Sequence, residues 1–354
     1  MLRVQAVDAA TRYQKVTLTG LGRTLPSQAK TKHTIKRMDR LLSNSHLHQE
    51  RTDIYEVMAR HILQTRNEPV ILIDWSQVNE EAGFHILRAS LALHGRAITV
   101  YEEIHPKHLS HNRAVHGRFL KQLQALLPCD CQPIVVTDAG FKNPWFKQVE
   151  ALGWHWLGRI RHFTQYRFID SPLWHPCRES YDLASTRPGY LGEICLSKHN
   201  PLDCHAYLYR KKLEGRKKRT QGKRVSKRSN STAYGRRERE PWFLVTNIPP
   251  DKLNARQAVA IYQTRMQIEE SFRDNKNQRI GLSLKETKSR SVERLQILLL
   301  IVTLATYALW LIGRWANQNG LYKHYQANTV RERAVLSYFN LGLQVLRKEP
   351  ERLC

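Results

Sequence analysis

Residues 69–76, PVILIDWS, and residues 133–141, PIVVTDAGF, decide the fold: each is a short apolar run that ends at a carboxylate, Asp74 in one and Asp138 in the other. Runs this short, rich in β-branched residues and bounded by Pro or Gly, read as buried strands rather than helices. Outward from the first run, FHILRASLALHG (84–95) and AITVYEEI (97–104) supply two more, so three adjacent strands are expected. Residues 112–127 read as a helix, and the second run is followed by a short helix at 144–152 and a strand, WHWLGRIR, at 154–161. Strands, a crossover helix and a returning strand predict an α/β sheet with polar groups presented at its strand ends, where such sheets carry their sites.

The rest of the chain divides around that sheet. Residues 1–66 read as a helical basic segment, 67–162 as the first part of the core, 163–240 as a β-rich insertion with a basic loop, 241–290 as the second part of the core, and 291–354 as a helical C-terminal region. The second part holds a strand, PWFLVTNIP, and one helix spanning 253–275; the C-terminal region ends in an amphipathic segment at 328–347.

Charge points to the partner. The 354 residues hold 57 Lys and Arg against 31 Asp and Glu, a formal net charge of +26, and such an excess favours a polyanion, nucleic acid first. Residues 210–240 carry 14 Lys and Arg against Glu214, Glu238 and Glu240. This is more charge than solubility needs, so Arg210, Lys211, Lys212, Arg216, Lys217, Lys218 and Arg219 are expected to neutralise phosphates. Lys36, Arg37 and Arg40 in TKHTIKRMDRLL are candidate contacts on a helix, where a solvated face is the competing reading. The six cysteines are scattered and read as reduced and cytosolic. Residues 295–313, LQILLLIVTLATYALWLIG, are long and apolar enough to score as a membrane span, but a single such segment in so basic a chain is expected to be a buried core helix.

Chemistry enters at residues 260–276, AIYQTRMQIEESFRDNK. At about 100° per residue, Tyr262, Arg265, Glu269 and Lys276 fall within about 60° of one another on one helical face. A phenol, a guanidinium, a carboxylate and an ammonium in one stripe suit an anionic, metal-bound substrate. Asp74, Asp138 and Glu269 together would offer the hard oxygen donors that Mg²⁺ takes. An aspartate at a strand end is often only a turn former, so the residues alone leave this open.

The spacing Tyr262-x2-Arg265-x3-Glu269-x6-Lys276, behind two strand-end aspartates, resembles the signature of DDE transposases from bacterial insertion sequences, within insertion-sequence family four. RTLPSQAKTKHTIKRMDRLL, VILIDWS, LRASLALHGRAITVYE, VVTDAGFKNPW, RMQIEESFRD and HYQANTVRER carry the resemblance along most of the chain. It implies an RNase H-like mixed sheet with helices on both faces, interrupted by a β-strand insertion. Asp74, Asp138 and Glu269 become the catalytic residues and ligands of two Mg²⁺ ions, with Mn²⁺ as a substitute. Tyr262, Arg265 and Lys276 would hold phosphates, and Trp242 would stack on a flipped base. The implied reaction is cut and paste: water cuts one strand, the freed 3′-hydroxyl attacks the other to form a hairpin, water reopens it, and the 3′-hydroxyl attacks target DNA. The implied partners are double-stranded DNA, as transposon ends and target, and a second copy of the chain in the synaptic complex. No membrane is expected, and the place of action would be the bacterial cytoplasm at the nucleoid.

Two departures accompany the resemblance. Asn275 stands where relatives place an apolar residue, and relatives extend beyond Met1 and Cys354. The second departure raises a rival, a catalytically inactive DNA-binding fragment that acts as an inhibitor. Two further rivals are a general RNase H-like nuclease and a zinc module on Cys195, His199, Cys204 and His205, whose spacing fits no standard zinc site.

Overall fold

The computed structural model describes residues 2–64, 66–78, 83–93, 95–212, 240–277, 281–327, 329–330 and 332–353. In chain order the first elements are helices α1 (Leu2–Tyr13), α2 (Leu18–Thr24), α3 (Thr31–Leu42) and α4 (Ser45–Leu63), then strands β1 (Val70–Gln77), β2 (Phe84–Ala92) and β3 (Ala97–Pro106), and helix α5 (Arg113–Leu126). Next come β4 (Ile134–Thr137), α6 (Asn143–Glu150), β5 (His155–Ile160), β6 (Gln165–Phe168), β7 (His175–Pro176), β8 (Gly189–Leu196), β9 (Leu202–Tyr209) and β10 (Trp242–Thr246). Helices α7 (Ala255–Gln263), α8 (Met266–Lys276), α9 (Val292–Gln318), α10 (Tyr322–Tyr325) and α11 (Tyr338–Lys348) follow. The chain is mixed α/β and forms two units, residues 1–131 with 266–354, and residues 132–265.

In the first unit β1 and β3 flank β2, antiparallel on both sides. Asp74 pairs with Arg88 and Arg88 with Glu102, so these three side chains project from one face. Helix α8 covers that face through Ser271, whose Oγ accepts from Arg88 Nη1 at 3.0 Å, and α9 covers it through Thr303, whose hydroxyl donates to Glu102. Trp75 projects from the other face, where its Nε1 donates to His116 Nε2 of α5 at 3.0 Å. Helices on both faces explain why β2 is buried from Ile86 to Leu91 instead of alternating.

The apolar segment is the core of α9. Its best 18-residue window has mean hydropathy 2.3 and is 61% buried within the protein, packed against α1, α3, α4, α11 and β3. Ser291 caps its start by accepting from Arg294 N. The crossing with α11 is close at Gly313 and Gly342, where a side chain would overlap the carbonyl oxygens of Tyr338 and Leu309 respectively.

In the second unit the strands run in the order β4-β5-β10-β9-β8-β6-β7, with β4 and β5 parallel and the other neighbours antiparallel. The strands expected for the insertion thus continue the ladder of β5 and β10 through the β9–β10 pair.

Three local expectations are corrected. The apolar run of β1 ends at Asp74, but the strand continues to Gln77, because β2 pairs with it through His85. The helix expected over 253–275 is two helices, broken at Thr264 and Arg265. There Thr264 N donates to Ile261 O at 3.0 Å and Arg265 N to Tyr262 O at 3.1 Å, while the Thr264 hydroxyl also donates to Ile261 O at 2.7 Å. These three-residue closures replace the four-residue ladder at that point. Among the described residues of the amphipathic segment expected over 328–347, the helix starts at Tyr338, after Ser337 caps α11 by accepting from Asn340 N.

Candidate active site

The candidate residues fall in both units. In the first unit Asp74 sits in mid-strand, half-buried, with Oδ1 accepting from Trp75 N at 2.8 Å. Glu269 opens α8 and is exposed, while Ile268, Ser271, Phe272 and Asn275 form the buried stripe of that helix. Lys276, two turns after Glu269 on the same side, donates from Nζ to Ser76 Oγ at 2.6 Å. Its ammonium lies 5.2 Å from the centre of the Phe272 ring. Burial, helped by the positive charge of Arg88 and opposed by Asp74, lowers the Lys276 pKa to about 8.

The helix α8 is fastened to the sheet along its length. Gln267 Oε1 accepts from Leu93 N at 3.1 Å, and Arg96 pairs with both Glu270 and Asp274, the latter at 2.9 Å. Helix α8 is short, and a helix of this length is marginal alone, so these bonds and its apolar residues fix where Glu269 stands.

In the second unit Asp138 follows the last residue of β4, and its Oδ1 accepts from Gly140 N at 2.8 Å, an Asx turn that orients the carboxylate. Tyr262 is only 4% exposed. Its pKa is raised, chiefly by burial, with Arg265 and Arg159 opposing and Asp138 adding to the rise. The phenol therefore stays neutral, with Arg265, Arg159 and Asp138 near enough to act on it. Trp242 packs edge-on against Tyr262 at 5.0 Å and against Tyr209 at 5.5 Å between ring centres, and remains half-buried. Tyr262 thus stands on α7, Arg265 in the turn, and Glu269 and Lys276 on α8.

The profile described as Transposase DDE domain matches residues 65–307, which include Asp74, Asp138, Trp242, Glu269 and Lys276. The chain belongs to this DDE transposase family. Its fold is therefore RNase H-like, and its class of chemistry is that of a polynucleotidyl transferase acting on DNA. A comparison with curated proteins finds no match.

The donor chemistry of this transposase domain suits a divalent metal: Asp74, Asp138 and Glu269 are hard oxygen ligands of the kind Mg²⁺ prefers. Among the described residues, no group of three His, Cys, Asp or Glu side chains stands together as a metal site. The five described cysteines are free, and burial raises the thiol pKa of Cys204 and Cys177, the latter to about 11.

The expected DNA contacts meet three different fates. Lys36 and Arg40 are exposed on α3, with Arg37 half-buried, and Lys211 and Lys212 are exposed beyond β9. Arg210 is committed locally, its guanidinium donating to the carbonyls of Ala184 at 3.1 Å and Tyr181 at 2.7 Å. Arg216, Lys217, Lys218 and Arg219 lie outside the described residues.

Sequence reasoning missed Ser76, Arg88 and Arg159. Each faces a named site residue across a strand pair or from a neighbouring element, so only register and packing could find them. Arg159 donates to the carbonyls of Glu240 and Pro241 at 3.3 and 3.2 Å, which directs its charge toward the start of β10 and Tyr262.

Proposed function

We propose that the chain is a cut-and-paste DNA transposase of bacterial insertion-sequence family four, of the kind to which the insertion sequence ten transposase belongs. It binds terminal inverted repeats and carries out strand cleavage, hairpin formation, hairpin opening and strand transfer to target DNA. The observation that carries this reading, beside family membership, is the fastening of Lys276 to Ser76 on the strand of Asp74. That bond keeps a cation on the helix of Glu269 and next to the strand of Asp74, the pairing of cation and carboxylates that phosphoryl transfer needs.

In this reading Asp74, Asp138 and Glu269 would hold two Mg²⁺ ions, or Mn²⁺ in their place. Bound there, the metal would neutralise charge on the phosphodiester and lower the pKa of the attacking water or hydroxyl. Lys276 and Arg265 pair with phosphate oxygens. Tyr262, being buried and neutral, orients Arg265 rather than carrying charge itself. Trp242, with an edge held by two tyrosines, offers a ring to an unstacked base, which lowers the cost of extruding it. Lys36, Arg37, Arg40 and the basic residues after β9 neutralise the duplex backbone. The working form is a homodimer on paired DNA ends, in the bacterial cytoplasm at the nucleoid.

The test is cleavage of a labelled duplex bearing the element's terminal inverted repeat, with Mg²⁺ or Mn²⁺, by the wild-type chain and by Asp74→Ala, Asp138→Ala and Glu269→Ala. Nicks and hairpins from the wild type alone are expected. Tight binding of the duplex with no cleavage under any metal would reject the reading in favour of an inactive, inhibitory DNA-binding fragment.

A further inference from the structure

Arg88 and Glu102 are both 0% exposed, and Arg88 Nε donates to Glu102 Oε2 at 2.7 Å. A fully buried ion pair is weak evidence for stability, since well-packed apolar residues in its place often do as well or better. Its other contacts suggest a different use. Glu102 is held from behind by the Tyr55 hydroxyl at 3.2 Å and by the Thr303 hydroxyl. With Nε fixed in this way, the two remaining nitrogens of the planar fork point to α8. Nη1 donates to Ser271 Oγ at 3.0 Å, and the guanidinium sits 4.4 Å from the centre of the Phe272 ring. The Asn275 amide, in the orientation that satisfies both of its ends, accepts from Nη1 at 3.2 Å and Nη2 at 2.9 Å while its nitrogen donates to Ser271 O and Thr306 Oγ1. This also accounts for a polar residue at position 275.

Arg88 is thus the direct strand partner of Asp74 and, through its fork, a ligand of the helix that carries Glu269 and Lys276. Ser271 lies two residues after Glu269, and Asn275 one residue before Lys276. We propose that Arg88 is a positioning residue, which sets α8 against β1 and so fixes the spacing of Glu269 and Lys276 from Asp74. The proposal rests on the reading of Asp74 and Glu269 as metal ligands. Its physical basis is that supporting bonds one layer behind a ligand set the ligand's place, and misplacement by about 1 Å is costly to catalysis. A lysine at 88 would keep the charge but lacks the planar fork that reaches Glu102 and α8 together.

The test uses the full chain in three variants: Arg88→Met with Glu102→Leu, which replaces the pair by apolar residues, Ser271→Ala, and Arg88→Lys. Four quantities are measured: thermal melting, affinity for end DNA without metal, Mn²⁺ affinity by paramagnetic titration without DNA, and single-turnover cleavage. For the double variant, which leaves the Tyr55 and Thr303 hydroxyls without Glu102, melting is expected to fall, while in the folded protein DNA affinity holds and Mn²⁺ affinity and cleavage rate each fall on the order of tenfold. Ser271→Ala loses one hydrogen bond and should lower both by roughly threefold, and Arg88→Lys should not restore wild-type values. Folded variants with wild-type Mn²⁺ affinity and cleavage would overturn the proposal and leave the network a stabilising one only. Should the double variant fail to fold, Ser271→Ala decides by the same two readouts. If Asp74→Ala and Glu269→Ala leave Mn²⁺ affinity unchanged, the ligand assignment fails first and the proposal falls with it.

Discussion

Lys276 Nζ donates to Ser76 Oγ across 200 positions of sequence at 2.6 Å, which ties the end of α8 to the strand of Asp74. Burial and the nearby Arg88 lower this ammonium from the usual lysine value of 10.5 to about 8, against the pull of Asp74. Below about pH 8 the group is charged in folded and unfolded chain alike. Between about 8 and 10.5 the unfolded chain keeps the proton that the folded one has released, so this group's contribution to stability rises with pH while its usefulness to phosphate falls. End-DNA affinity at constant salt is therefore expected to drop between about pH 7 and 9 (roughly one unit either side of that pKa) in the wild type, and to drop less in Lys276→Arg. Parallel pH profiles for the two proteins would show that Lys276 does not supply the titrating charge.

His116 behaves in the opposite range. Burial, with His111 and His105 nearby, lowers its pKa from 6.5 to about 4, so the ring is neutral when it accepts from Trp75 Nε1. The contribution to stability is fully present above about pH 6.5 and is lost as pH falls toward 4, because the unfolded chain takes up the proton first. Urea midpoints should decline between pH 7 and 5. In His116→Gln the decline should be shallower, and an unchanged slope would assign the acid sensitivity to other groups.

Gly313→Ala is expected to destabilise the first unit by about 1–3 kcal/mol or more, since helices α9 and α11 must part to admit a methyl group. The methyl would overlap the Tyr338 carbonyl oxygen, and the buried cluster of Ala316, Leu321, Leu341 and Val345 lies one turn away. Urea unfolding of the variant measures this, and a wild-type midpoint would mean that the crossing is looser than the structure indicates.

Trp242→Ala should separate two steps of the proposed reaction. First-strand nicking should persist, because no proposed metal ligand or phosphate cation is altered, while hairpin yield should fall on the order of tenfold for loss of base stacking worth about 1–3 kcal/mol. Trp242→Phe should recover part of it. Equal loss of nicking and hairpin formation would instead indicate that the indole supports Tyr262 and Tyr209, its packing partners.

Much of this was written locally in the chain. The runs 70–74 and 134–137 are strands because their residues are apolar and β-branched, and Asn112 and Asn254 open helices because their side chains accept the first backbone N–H groups. The apolar run of α9 could only be a buried or spanning helix. Asp74, Asp138 and Glu269 could be singled out because residue type and spacing are properties of the sequence. The interruption at Thr264 and Arg265 was not legible, because periodicity assumes that the ladder is unbroken, and the Thr264 hydroxyl competes for Ile261 O.

The sequence by itself determined most of the strands and helices, though not where several of them end or break, and which residues bring carboxylate, guanidinium and ammonium groups. Tertiary structure alone decided that Arg88 faces Asp74, that Lys276 reaches Ser76, and that Asn275 is buried where an apolar residue would be expected. Backbone propensity and side-chain chemistry act over a few residues and can be read along the chain. Strand register and helix docking depend on contacts between residues as far apart as Ser76 and Lys276, and these exist only once the chain has closed on itself.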